Sequence, residues 1–282
     1  QGATLTISPG VVVKFESNAR LKIDGSLIAD GTPDKKIVFT SLKDDTYGGD
    51  TNGDVNGSAP AKNDWTGLTL ASGSTNNLLD NVVVKYAQTG ISASTSSLTI
   101  SNSAISHSNY GVSTSSGSPT ITGNTISDNL IGVTANNNSG PTINGNTISN
   151  NTGPGVSIDS SSPTISGNTI ANNASGVSAS GDSSPSIQGN VIKDSIGWAV
   201  SLDPNSTGAT ISGNNISGAK VGLYIQNGGY SITKSLTWSS LDAPYVVNYP
   251  GPGGSILYYG LPIAQGATLT ISPGVVVKFE SN

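Results

Sequence analysis

The sequence predicts an all-β fold, a right-handed parallel β-helix (β-solenoid) of about 11–12 coils of ~22 residues, with three short strands per coil. Three observations predict it. An internal repeat of about 22 residues runs through the middle of the chain. Ile and Val recur in three columns that keep step with the repeat. Between the columns stand small, polar, turn-forming residues, with 36 Gly among 282 residues and only 10% of the chain charged.

The repeat reads PTITGNTISDNLIGV, PTINGNTISNNTGPGV, PTISGNTIANNASGV, PSIQGNVIKDSIGWAV and ATISGNNISGAKVGL. Aligned on asparagine, one column is Asn81, Asn102, Asn124, Asn146, Asn168, Asn190 and Asn214. The first apolar column is Ile100, Ile121, Ile143, Ile165, Ile187, Ile211 and Ile232. The second is Val84, Ile105, Ile126, Ile148, Ile170, Ile192 and Ile216, and the third is Ile91, Val112, Val133, Val156, Val177, Val200 and Leu223. Each segment alternates apolar and polar over a few residues and is rich in Thr and Ile, which is a strand pattern too short for a helix. Gly-Asn, Asp-Asn or Asn-Asn separate the segments as turn residues. Stacked coils would set Ile on Ile, and the Asn column would form a structural ladder of side-chain hydrogen bonds in a bend. The right hand follows from the strong bias of parallel crossovers.

The flanks alternate in the same way. Leu5 and Ile7, then Val11, Val13 and Phe15, then Leu21 and Ile23, then Ile37 and Phe39 precede a strand from Trp65 to Leu70. Strands are expected over 231–238, 244–249 and 255–261, leading into 268–279. The first eighteen residues, QGATLTISPGVVVKFESN, return unchanged as residues 265–282. The division this implies is one β-solenoid unit over 1–264, with 41–64 as an Asp/Gly-rich loop excursion, and 265–282 as the first coil of the next identical unit. Its partners would be identical units end to end, with lateral copies of itself or surface glycans as further candidates. An open solenoid edge needs a cap, and the natural cap of such a unit is the next one.

Composition narrows the function. The net charge is −5 with a single Arg, Arg20, which leaves no basic footprint for nucleic acid. No apolar run is long enough to span a membrane in this segment. Cys and Met are both absent, so there is no disulfide framework and no oxidisable sulfur. That suits a long-lived extracellular or cell-surface material.

The GNTIxxNxxGV repeats resemble the parallel β-helix repeats of large secreted and surface proteins of bacteria and archaea, the tandem-repeat fibre and sheath proteins among them. They also resemble the periplasmic copper-loading and carbohydrate-binding β-helix group. TLTISPGVVVKF, GSLIADGTPDKKIVFTS and a Gly/Asp loop ending in NDWTGL look like the opening coils of such surface proteins. The resemblance covers nearly the whole chain and implies the fold. For function it is weak, because these repeats serve lyases, adhesins, sheaths and tail fibres alike.

Candidate chemistry is sparse. Asp128, Asp159, Asp182, Asp194 and Asp203 fall at different repeat positions, so no paired carboxylates emerge for glycoside hydrolysis. His107 is the sole His and has no nucleophile and orienting acid in view. The expectation is therefore no catalytic residue and no enzyme. One acidic constellation stands out: Asp50, Asn52, Asp54 and Asn56 with Gly57, and Asp44, Asp45 and Asp64 nearby. Oxygen ligands at alternate positions suit a wrapped Ca²⁺, although Asn63 stands where an EF-hand has its Glu. A polar insertion with Asp and Asn as turn formers is the other reading, and both stand at this point. The three Trp and nine Tyr could form sugar-stacking platforms, most densely at Tyr245, Tyr249, Tyr258 and Tyr259, with packing and lateral contacts as the other reading. The leading functional reading is a structural unit of a giant extracellular fibre, sheath or layer. An adhesin or carbohydrate-binding stalk comes second and a polysaccharide-active enzyme third.

Overall fold

A computed structural model describes residues 2–55, 57–218, 220–226, 231–241, 243–247 and 261–279. They form a parallel β-solenoid of about eleven coils, with no α-helix among the described residues. Each regular coil has three strands. Thr142–Asn144, Thr147–Ser149 and Pro154–Asp159 make one such circuit. Strands at the same place in successive coils pair in parallel. The first sheet has nine strands, Thr4–Ile7 to Thr210–Ser212, and the second has nine, Val12–Phe15 to Asn215–Ser217. The third has eleven, from Arg20–Ile23 to Val277–Phe279.

A three-residue strand of the form Thr-Ile-polar sends one side chain inward and two outward. Pairing in register then sets like on like: Ile121 on Ile143 on Ile165 on Ile187, and Ile126 on Ile148 on Ile170 on Ile192. All of these are fully buried. Each buried Ile contributes on the order of 1.5–3 kcal/mol. The third sheet stacks Val112, Val133, Val156 and Val177 in the same way. Glycine precedes each of these valines because successive coils approach closely there. A Cβ on Gly111 would stand 2.5 Å from the Gly132 carbonyl oxygen. Ile232 departs from the first apolar column: it is buried but bridges to Ile263 rather than joining the first sheet.

Each bend uses one device. A residue in the left-handed region turns the chain, and the next residue points its side chain inward. Gly145 (φ 64°) precedes Asn146, Asn150 (φ 57°) precedes Asn151, and Ser160 (φ 50°) precedes Ser161. Gly and Asn tolerate that conformation. The inward side chain then accepts a hydrogen bond from the main-chain N–H of the coil before it. At the first bend the N–H groups of Asn124, Asn146, Asn168 and Asn190 donate to the Oδ1 of Asn146, Asn168, Asn190 and Asn214 at 2.9, 2.8, 2.9 and 3.0 Å. The second bend repeats this through Asn129, Asn151 and Asn173, at 3.0 Å each. The third uses hydroxyls, with the N–H of Ser139, Ser161 and Ser183 donating to Ser161, Ser183 and Ser206 at 3.1, 3.1 and 3.0 Å. Three polar seams thus satisfy the buried backbone where no sheet can.

Asn81 and Asn102 are corrections to the asparagine column. Both are turn residues, at φ 48° and 49°, one place before the seam. The seam continues instead through Ser103, whose N–H donates to Asn124 Oδ1 and whose hydroxyl accepts from the Val82 N–H. Asn81 and Asn102 bond outside it, to Asp80.

The returning motif stacks on the coil before it, though not in the sheets that its first copy occupies. Val12–Phe15 lies in the second sheet, whereas Val277–Phe279 pairs with Tyr245–Val247 in the third. Leu269–Ile271 pairs with Leu236–Trp238 in a separate two-stranded sheet. The coil that receives it offers just those two strands among the described residues, so the two arms of the motif pair with those. The turn inside the motif is unchanged: Val11 N–H to Ser8 O and Val275 N–H to Ser272 O are both 3.3 Å. Of the expected strand over 255–261, residues 255–260 lie outside the described residues.

Candidate functional site

The acidic loop leaves the second sheet after Ser41 and rejoins the third at Gly67. Its root is clamped. Asp44 is buried and accepts from Thr40 Oγ1 at 2.6 Å and from the Thr46 N–H at 3.2 Å. Asp64 accepts from Ser41 Oγ at 2.8 Å, Lys43 Nζ at 2.9 Å and the Ala61 N–H at 2.9 Å. Burial alone would raise the Asp64 pKa, but these donors outweigh it and hold the carboxyl below its ordinary value. Trp65 closes the root, stacked on Phe15 with centroids 4.1 Å apart and donating through Nε1 to the Lys85 carbonyl at 2.8 Å. Asp44 and Asp64 are thus root fixtures rather than ligands at the tip.

The tip is built on Asp50 and Asp54. Asp50 Oδ1 accepts from the Gly53 N–H at 2.7 Å and Oδ2 from the Val55 N–H at 2.9 Å. Asp54 accepts from the Gly57 N–H at 3.0 Å, from Asn52 Nδ2 at 2.7 Å and from the Ser58 hydroxyl. The Ser58 bond is the chief reason that the Asp54 carboxyl is held below its usual range. Carboxylate oxygens of Asp45, Asp50 and Asp54 lie within 4.8 Å of one another. Asp45 Oδ1 and Asn52 Oδ1 are buried and have no hydrogen-bond donor. The acids that converge are therefore Asp45, Asp50 and Asp54. Asn52 turns its amide onto Asp54, and Asn56 lies outside the described residues.

A second gathering lies beyond this loop. His107 is a bend residue (φ 55°) whose ring lies 5.4 Å from Tyr86. Lys85 Nζ stands 4.8 Å from the Tyr86 ring and 5.7 Å from that of Tyr47. His107 Nδ1 is buried without a partner. Burial, then the neighbouring Lys85 charge, push the imidazole pKa below its ordinary value. Sequence spacing held no sign of this grouping, because Tyr47 comes from the loop, Lys85 from the end of a strand, and Tyr86 and His107 from successive bends.

Of the expected tyrosine platform, Tyr245 is the member that lies among the described residues. Tyr245 is buried, stacks on Trp238 at 4.5 Å and donates its hydroxyl to the Ser239 carbonyl at 3.1 Å. Burial pushes its pKa up to about 12. Tyr249, Tyr258 and Tyr259 lie outside the described residues. No helix among the described residues is long and apolar enough to cross a membrane.

A comparison with curated proteins returns no significant match. Two solved structures are similar in fold. One is the enzymatically active domain of tailspike protein 2 of bacteriophage CBA120, at 16% identity and a TM-score of 0.38, covering 93% of this chain and 47% of that one. The other is full-length tailspike protein 2 from an Escherichia coli O157:H7 bacteriophage, at 14% identity and a TM-score of 0.39, covering 93% and 42%. The chain spans about half the length of these structures or less, and the likeness is one of fold alone. It does correct one expectation. A similar fold is described as an enzymatically active domain, so the statement that this chain is not an enzyme is withdrawn. The family model for a right handed beta helix region matches residues 66–199. Those residues lie within the parallel β-solenoid, whose coils continue on either side of them.

Proposed function

We propose that this chain is a structural segment of an extracellular β-solenoid in which identical units stack end to end. One observation carries the reading: the same eighteen residues open and close the sequence, and both copies take part in parallel pairing, one at each end of the coil stack. Strength along the axis would come from the three sheets and three polar seams, all of which run coil to coil. The eleven-stranded third sheet spans ten interstrand steps, so one unit would advance about 50 Å at ~4.8 Å per step.

The calcium expectation becomes part of this proposal on Asp45, Asp50 and Asp54. Carboxylate oxygens of these three residues lie within 4.8 Å of one another, which is an oxygen-ligand set of the kind a hard cation takes. Such a cation would give the donorless Asp45 and Asn52 oxygens a partner.

The test is a chain of two whole units imaged by electron microscopy. A single straight rod, longer than one unit by about 50 Å, is expected. Two separate bodies joined by a flexible link would overturn the reading.

A further inference from the structure

We infer that residues 45–55 and 57–62 of the acidic loop form a strap over an apolar outer face of the second sheet, and that proton uptake by His107 releases it. This needs neither the end-to-end reading nor the ion.

The second sheet carries an apolar row on its outside. Phe39, Val84 and Ile105 face the core. Their chain neighbours Val38, Val83 and Ala104 therefore face outward, and they stack in register with Val12. The same row continues as Thr125 and Thr147, which are exposed. Val38 and Val83 are only 4 and 8% exposed, although neither belongs to the core cluster. The loop is what packs on this side. Lys14 Nζ donates to the Gly49 carbonyl at 2.6 Å, and a Cβ on Gly48 would stand 3.9 Å from the Val12 side chain. Bare, the row would be an apolar patch on an otherwise Thr- and Ser-coated face.

The strap rests on the His107 gathering. Lys85 Nζ reaches both the Tyr47 ring of the strap and the Tyr86 ring of the coil, and Tyr86 meets His107. The charges acting on His107 come from every side: Lys85 from the coil before it, Asp128 from the bend after it, Lys62 from the strap and Asp44 from the loop root. His107 Nδ1 is buried without a partner. A proton there would be a buried donor with no acceptor, beside two lysines. Burial and the lysines outweigh the two aspartates, so the closed site resists the proton. Lifting the strap lets water in and takes Lys62 away, and the ring then titrates near its ordinary value of 6.5. The open form thus binds the proton more tightly. Below pH 6.5 the opening constant should rise up to tenfold per pH unit, until the closed form also protonates. The root bonds of Asp44 and Asp64 do not involve His107, so the strap lifts from a root that stays clamped.

A chain without Cys allows a clean test with one introduced thiol. Val83→Cys places it under the strap, and Thr147→Cys places it at an open position of the same row. The ratio of their reaction rates with a thiol reagent, taken at each pH from about 7.5 to about 5, cancels the reagent's own pH dependence. The ratio should be low above pH 6.5 and climb up to tenfold per unit below it. Val38→Cys should behave alike. Adding His107→Asn, which stays neutral and suits the left-handed turn, should flatten the climb. A flat ratio with His107 present would overturn the inference, and so would a climb that survives His107→Asn. Ala135→Cys, fully buried in the third sheet, guards against wholesale unfolding. If it reacts in step with Val83→Cys, no strap is moving separately and the inference falls.

Discussion

Removing the side chain of Asn168 tests the polar seam directly. Asn168 is 1% exposed. Its Oδ1 accepts from the Asn146 N–H at 2.8 Å and from Asn146 Nδ2 at 3.0 Å. Its Nδ2 donates to the Ile143 carbonyl at 2.8 Å and to Asn190 Oδ1 at 2.9 Å. Asn168→Ala leaves the buried Asn146 N–H without its acceptor and takes a donor from Ile143. One stranded buried group costs about 1–3 kcal/mol, and each further bond lost adds about 1 kcal/mol, so the expected loss is ~2–4 kcal/mol. The matched control is Asn102→Gly, which deletes an exposed amide while keeping the left-handed turn, and it should cost less than about 0.5 kcal/mol. Urea unfolding followed by circular dichroism measures both, and hydrogen exchange reports whether the loss is centred on the coils around residues 146–190. Equal losses from the two variants would refute the seam as a source of stability.

Ile165→Ala opens a hole between two coils and should cost about 2–5 kcal/mol, whereas the outward-facing Thr164→Ala should cost far less; thermal melts separate them. His107 has a depressed folded pKa, so below the ordinary value of 6.5 the unfolded chain takes up a proton that the folded chain resists. The melting temperature should therefore fall as pH drops through and below that value, and His107→Asn, which suits the left-handed turn, should flatten the fall. Chelator should lower the melting temperature of calcium-loaded protein and leave exchange protection in the coils around Asn146 and Asn190 unchanged. Asp50→Asn should remove that response, and identical melts with and without chelator would refute the proposed ion.

The repeat and its apolar columns were legible because each coil shows one inward Ile or Val per strand at a nearly constant step. The asparagine column slipped by one place at Asn81 and Asn102. The warning was present: those two stand three residues before Val84 and Ile105, whereas Asn124 stands two before Ile126. The seams through Asn129, Asn151 and Asn173 and through Ser139, Ser161 and Ser183 keep the same step of 22 and could have been read. The convergence of Asp45 with Asp50 and Asp54 could not, because it depends on how the loop folds back on itself. The place of the second terminal motif was hidden for a similar reason, since pairing depends on the strands that the preceding coil offers.

The near-constant step has a kinetic consequence. Each new strand of a regular coil closes a loop of the same size on a template already formed, as Ile143 does on Ile121 and Ile165 on Ile143. The largest exception among the described pairings is the coil holding the acidic loop, where Ala29 pairs with Leu79. That longer closure costs only about 0.7 kcal/mol more by loop entropy. The first stable nucleus should therefore arise among the uniform coils and spread outward in both directions, one coil at a time. The barrier to adding each coil does not depend on total length, so an added unit extends the folding time in proportion rather than raising the barrier.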